Sequence, residues 1–375
     1  MTIIDLFAGP GGWDVGLEML GRSAYGIEWE KYAVQTRIMA GHATEKADIA
    51  LLDPTNYLAG GPVEGLIASP PCQAFSLAGK RLGHDDKPLC YKAADELAEG
   101  GDPREDVLPL CGDPRSLLVV EPVRWVRDLR PTWIALEEVR AVEPLWEHYA
   151  TIFRAWGYHV WTGVLNSADY GVPQTRERMI LMAHREREIG PPPPTHSRDG
   201  GAGEDLFGDD RKPWVTMAQA LGWGMTARPS VTVMARTHDP ETGRTSGGVR
   251  PLDGGSGARA TLASARETGE WESKPAWAHE RPSTTIVGSF RPDKVAAPGW
   301  RKPGDPPRQD TPDSVTIDVT EAGVLQSFPA DYPWQGPRTR QFEQVGNAVP
   351  PRLAAHVLAR LLGIDPTEPI EKFYE

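Results

Sequence analysis

The sequence predicts a doubly wound α/β architecture, with a mainly parallel sheet covered on both faces, joined to a smaller loop-rich domain. Three observations predict it. Short apolar runs alternate with helix-length segments through the first half of the chain, and a glycine-rich loop follows the first run. Four prolines, Pro191 to Pro194, then forbid both helix and central strand and give a stiff extended connector. Beyond them the sequence is rich in Gly, Pro, Thr, Arg and Trp until about residue 315, where periodicity returns.

Taken in order, residues 2 to 7 (TIIDLF) read as a buried strand, and Gly16 to Leu20 as the start of the helix after the glycine loop. Ala24 to Ile27 is the next strand, with a helix from Lys31, and Gly65 to Ala68 is another strand. A helix over Ser116 to Leu129 leads to a strand at Trp133 to Leu136. A helix over Leu145 to Trp156 then leads to strands at Tyr158 to Leu165 and Arg178 to Ala183. Short strand-like runs follow at Ser230 to Ala235 and Thr284 to Val287, then a periodic run at Val319 to Phe328. Pro350-Pro351 suits the start of a terminal helix over Pro351 to Leu362. Ligands in such sheets sit beyond the C-terminal ends of strands. The boundaries expected are a catalytic domain over residues 1–190, a second domain over 191–315 and a segment over 316–375 that returns to the first. Residues between Gly83 and Pro114 form an insertion without a legible motif.

The 375 residues, 39% hydrophobic and 25% charged, are enough for two domains and exclude general disorder, a collagen repeat or a small disulfide scaffold. The first twenty residues lack the layout of a secretory signal, and no apolar run approaches the roughly 20 residues needed to span a bilayer. Three cysteines, Cys72, Cys90 and Cys111, cannot all pair, so three thiols in a reducing cytoplasm are expected, one of them available as a reagent. The net charge of −12 argues against a polyanionic partner, yet residues 211–310 hold 15 Lys and Arg against 10 Asp and Glu. A basic segment on an acidic body suits either a polyanion held on one face or a solvated loop region.

Asp5 to Gly12 (DLFAGPGG) ends a strand and opens a helix, so backbone can approach a ligand closely beside helical N–H groups; a tight structural turn uses the same residues. Glu28, at the end of the next strand, can accept hydrogen bonds from both hydroxyls of a ribose, or serve only a helix start, and Trp29 beside it can stack on an adenine. Asp48 ends a third segment, where it can face the adenine edge. Ala68 to Ser76 (ASPPCQAFS) runs a strand into two prolines and places Cys72 at the strand's C-terminal end, over the expected cleft; a buried structural cysteine is the alternative. Glu137 and Glu138 end another strand, where adjacent side chains face opposite ways, so at most one enters the cleft. A partly buried carboxyl there can donate a proton near neutral pH. Arg176 and Arg178, two residues apart before a strand, can hold a carbonyl and a phosphate with their guanidinium forks, or be surface charge.

In this order the segments resemble the DNA (cytosine-5) methyltransferase family: FAGPGG, IEWEKYA, SPPCQAFS, LEEV, QTRERMI and, near the end, QVGNAVPP. The resemblance covers about residues 1–185 and 315–365 and leaves the region between as the family's variable target-recognition domain. It implies a Rossmann-like sheet and S-adenosylmethionine as methyl donor, bound by Phe7, Gly9, Gly11 and Gly12, with Glu28 on the ribose, Trp29 on the adenine, Asp48 near the adenine amine and Asn347 completing the site. Catalysis would belong to Cys72, attacking C6 of a cytosine flipped from duplex DNA, and to Glu137, protonating N3. Arg176 would hold the cytosine O2, and Arg178 the loop or a phosphate. It implies no metal and no membrane partner, and a monomer is expected. The family usually has Glu-Asn-Val where this chain has Glu137-Glu138-Val139. An ionised Glu138 only accepts hydrogen bonds, whereas asparagine also donates. The rival functions are an RNA cytosine-5 methyltransferase and a catalytically silent DNA-binding relative.

Overall fold

The computed structural model describes residues 2–71, 82–200, 210–222 and 315–374, together with 237–238, 245–246, 278, 281–284, 286 and 294–295. The chain forms two compact units. One comprises Met1–Tyr170, Arg176–Thr195 and Asn347–Glu375, the other Gly171–Thr175 and His196–Gly346. The C-terminal segment over 316–375 is therefore divided at Asn347.

The first unit is built on β1 (Thr2–Leu6), α1 (Gly12–Met19), β2 (Tyr25–Glu28), α2 (Lys31–Ala40), β3 (Ala43–Lys46), β4 (Val63–Ala68), α3 (Leu82–Ala98), α4 (Arg104–Val107), α5 (Glu121–Leu129), β5 (Trp133–Glu138), α6 (Glu143–Ala155) and β6 (His159–Asn166). After β7 (Gln174–Thr175), which belongs to the second unit, comes β8 (Glu177–His184). The sheet has the order β3-β2-β1-β4-β5-β8-β6. All neighbours are parallel except β8, which runs antiparallel to both β5 and β6. From β1 the chain winds outward through β2 and β3, then restarts on the other side of β1 with β4. The strand order thus reverses between β1 and β4, and a ligand crevice is expected beyond the ends of those two strands.

The two-residue period of the strands divides the core. Ile4, Leu6, Leu66, Ala68, Ile134 and Leu136 pack under α3, α5 and α6, whereas Ile3, Ile67, Trp133 and Ala135 pack under α1 and α10 (Pro351–Leu362). Nearly every residue of β4 and β5 is buried, as a central strand covered on both faces requires. Arg130 ends α5 with a left-handed backbone, φ 48°, and its guanidinium lies over the Trp156 ring.

The expected helix over Ser116 to Leu129 is a 3₁₀ turn, Pro114–Val120, running into α5 at the Glu121-Pro122 step. The insertion holds α3, which Asp86 ties down by accepting hydrogen bonds from the backbone N–H groups of Gly112 and Asp113 and from Ser116 Oγ. A last helix, α11 (Thr367–Tyr374), extends beyond the expected terminal one.

In the second unit, β7 pairs in parallel with Ser283–Thr284. Gln174 fixes this pairing: its Nε2 donates to Gln326 Oε1 at 2.7 Å, and its Oε1 accepts from the backbone N–H of Ile286 at 3.1 Å. The helices Met217–Leu221 and Val319–Leu325 (α7 and α8) both begin in capping boxes, Thr216 with Gln219 and Asp318 with Glu321. A further helix, α9, spans Arg338–Asn347. The run Ser230 to Ala235 lies outside the described residues.

Candidate active site

The glycine loop leaves β1 through Phe7, whose φ of 57° is left-handed, and passes through Gly9 (φ 54°) and Gly11 (φ 106°) into α1. A Cβ on Gly9 would meet nothing closer than 4.0 Å. At Gly12 the reason for glycine is different: a Cβ there would stand 2.2 Å from the carbonyl oxygen of Val349. Gly16 one turn later is pressed against Ala354, whose Cβ would lie 2.8 Å from a Cβ added there. The segment just after Asn347 thus lies against the start of α1, and Asn347 itself is exposed at the end of α9.

No side chain caps α1, so its first N–H groups remain open to a ligand. Glu28 stands beside the loop, taking hydrogen bonds from the backbone N–H groups of Gly9 (2.8 Å), Trp29 (2.8 Å) and Glu30 (2.7 Å). Burial raises its pKa, and these donors oppose the shift. Trp29 is 69% exposed although it is the largest apolar side chain available, a surface that an aromatic ring can cover. Asp48 accepts from the backbone N–H of Ala50 at 3.0 Å, and the backbone N–H of Ala47 donates to the Glu28 carbonyl, so both acids lie along one rim. The open helix end, the bare glycine backbone, the half-buried carboxylate and the exposed indole fit an adenosyl cofactor.

Beneath the loop is a charged group that the sequence did not reveal. Arg37, wholly buried, grips Asp14 of α1 with both terminal nitrogens, at 2.6 and 3.0 Å, and donates to the loop carbonyl of Ala8 at 3.2 Å. Asp5 is buried beside them, and burial together with Asp14 pushes its carboxyl well above the usual range. One signal was readable: Gly26 interrupts β2, and a Cβ there would fall 1.8 Å from Arg37 Nη2.

The segment after β4 is fastened to α1: Trp13 Nε1 donates to Ser69 Oγ at 2.9 Å, and the backbone N–H of Ser69 to the Leu6 carbonyl. Three residues further comes Cys72, which lies outside the described residues. The other two thiols are poor nucleophiles, because burial pushes Cys90 up to about 12 and raises Cys111 as well.

At the end of β5, Glu137 continues the face of Trp133 and Ala135, and Glu138 the face of Ile134 and Leu136. Arg178 Nε meets Glu137 Oε1 at 2.8 Å. Arg176 is buried, and its carbonyl accepts from the backbone N–H and Oγ of Ser167, both at 2.9 Å. The structure therefore brings Arg178 to Glu137. Glu138 is enclosed, with Oε2 held by the Val139 N–H and Oε1 without a hydrogen-bond partner. Burial first, and Glu137 second, raise its pKa well above the ordinary value. Among the described residues no helix is long and apolar enough to cross a membrane, and no cluster of His, Cys, Asp and Glu is placed to hold a metal.

Comparisons with known proteins bear on the family and the fold. The chain is 27% identical over 392 residues to the type II methyltransferase M1.HphI of Haemophilus parahaemolyticus, covering 98% of this chain and 88% of that one. It is 31% identical over 257 residues to M.AquIA of Picosynechococcus, covering 62% and 93%. In fold it is similar to a DNA modification methyltransferase encoded within an E. coli prophage (TM-score 0.54, 18% identity, 97% and 99% covered). It is likewise similar to the Dnmt2 methyltransferase of S. pombe (TM-score 0.56, 14% identity, 97% and 98% covered). The family model for C-5 cytosine-specific DNA methylase matches residues 1–92, 110–203 and 257–363, passing over 93–109 and 204–256. A match over most of the chain, on a sheet whose reversal point carries the glycine loop and the Ser-Pro-Pro segment, makes this protein a member of the C-5 cytosine-specific DNA methylase family.

Proposed function

We propose that this protein transfers a methyl group from S-adenosylmethionine to C5 of a cytosine flipped out of a specific duplex DNA sequence, as the modification arm of a restriction-modification system. The observation that carries the reading is the Trp13–Ser69 hydrogen bond, which ties the segment leading into Cys72 to the helix of the glycine loop. Ser69, three residues before Cys72, is thereby held beside the helix that follows the glycine loop, which supports placing both motifs at one crevice.

Phe7, Gly9, Gly11 and Gly12 would line the cofactor, with Glu28 at its ribose, Trp29 and Asp48 at its adenine and Asn347 closing the site. When bound, the cofactor supplies a methyl group made electrophilic by its sulfonium. C5 of cytosine is a weak nucleophile, and the chain's own groups remedy this. The Cys72 thiolate adds to C6 while Glu137 gives a proton to N3, which raises electron density at C5. After methylation a base takes the C5 proton, the thiolate leaves and the N3 proton returns to Glu137, restoring the ring. Arg178 orients Glu137, and Arg176 serves the cytosine O2. Since C6 and C5 are stacked inside a duplex, the base must leave the stack at a cost of a few kcal/mol. The basic segment within 191–315 is assigned to target recognition, which favours DNA over RNA as substrate.

The test is covalent trapping on duplexes containing 5-fluorocytosine, whose fluorine blocks the final proton loss. A denaturant-resistant complex with DNA, dependent on cofactor and on Cys72, is expected. Trapping on RNA alone, or on neither, would reject the proposal.

A further inference from the structure

We infer that Arg104, carried by the insertion, is a positioning residue for the adenine end of the cofactor site, acting through Ala50 on Asp48. The inference rests on the assignment of Asp48 proposed above. Arg104 lies in the stretch over 93–109 that the family model passes over, so this support stands outside the part of the chain that the family model matches.

The rim that carries Asp48 is a single 3₁₀ turn, Ile49–Leu51, too short to hold its own shape. Two arginines hold it from outside. Arg124 donates from Nη2 to the Ile49 carbonyl and from Nη1 to the Leu52 carbonyl, both at 2.8 Å. Arg104 donates from Nη1 to the carbonyl of Ala50 between them, at 2.7 Å. Both guanidinium groups are gathered by one buried carboxylate: Glu121 Oε1 accepts from Arg104 at 2.8 Å and Glu121 Oε2 from Arg124 at 2.8 Å. Asp102 closes the back of Arg104, accepting from Nε at 2.7 Å and from Nη2 at 2.6 Å.

Ala50 is consequently gripped on both sides, its carbonyl by Arg104 and its N–H by Asp48 Oδ1. With Arg104 fixed, the Asp48 carboxylate has one place to stand. Arg124 and Glu121 lie on α5, under the core, whereas Arg104 reaches this turn only because the insertion folds back over it.

The test is isothermal titration of S-adenosylmethionine into the full chain, with steady-state kinetics alongside. Arg104→Met is expected to weaken cofactor affinity about three- to tenfold, the scale of one charge-assisted hydrogen bond. KM for the cofactor rises with it, while kcat and KM for DNA stay unchanged. In an Asp48→Ala background the same substitution is expected to add nothing, because the two act in series. Wild-type affinity in Arg104→Met, effects that multiply in the double variant, or a parallel fall in kcat would overturn the inference. Arg104→Lys keeps the charge without the fork and carries the same test if Arg104→Met does not fold, with an intermediate loss expected and wild-type affinity overturning it. Failure of the wild-type chain to bind the cofactor at all would instead refute the functional reading.

Discussion

Arg178 and Glu137 form an ion pair, 2.8 Å from Nε to Oε1, between neighbouring antiparallel strands, with both side chains largely shielded from water. The pair fixes where the carboxyl points, and shielding strengthens the attraction relative to an exposed pair. Glu137→Gln keeps the shape and removes the acid–base group. A loss of about 10²- to 10⁴-fold in single-turnover methyl transfer is expected, with cofactor binding intact. An unchanged rate would move the role of acid to Glu138.

Glu138 dictates a pH dependence of stability. Its pKa in the folded protein lies well above the ordinary 4.5, chiefly through burial. The folded chain therefore holds a proton that the unfolded chain releases above pH 4.5, and folding stability falls as pH rises from there toward the folded pKa. Glu138→Gln carries no such proton. Its melting temperature should match the wild type near pH 4 and exceed it increasingly as pH rises. Parallel pH profiles would show that Glu138 is not the group responsible. Glu138→Asn, which restores the usual residue of the family, tests turnover separately: a large gain in kcat would show that the natural glutamate restrains the reaction.

Cys72→Ser should abolish methyl transfer and 5-fluorocytosine trapping while cofactor affinity, measured calorimetrically, stays near wild type. Loss of affinity in that variant would contradict the division of labour between the two motifs.

Gly12→Ala places a methyl group 2.2 Å from a backbone oxygen that has little room to retreat. Overpacking of this kind costs about 1–3 kcal/mol. A lower melting temperature and weaker cofactor binding are expected together, since the displaced segment borders the glycine loop. A wild-type melting curve would mean that the two segments separate easily.

The sheet and its crevice were legible because alternating texture and a glycine loop are local signals. The helix starts at Lys31 and Pro351 were read to the residue, since charge and proline mark them. The reversed direction of β8 was not legible, for its apolar run reads the same either way. Nor was the Asp14–Arg37 pair under the loop: Asp14 looks like an ordinary first-turn acid and Arg37 like a surface residue of α2, and only tertiary packing joins them. The Glu137–Arg178 pair was not legible either, since only the antiparallel register of β5 and β8 brings the two side chains together. The insertion showed no motif because its anchors, Asp86 and Arg104, act on backbone groups that carry no sequence signature.

The contact between the first helix and Pro351–Leu362 also bears on synthesis. In translation the glycine loop precedes the surface that backs it by most of the α/β sheet, so the two cannot pack until Pro351–Leu362 has been made. A product truncated before Val349 thus carries the glycine loop and still lacks the segment packed against the helix that follows it.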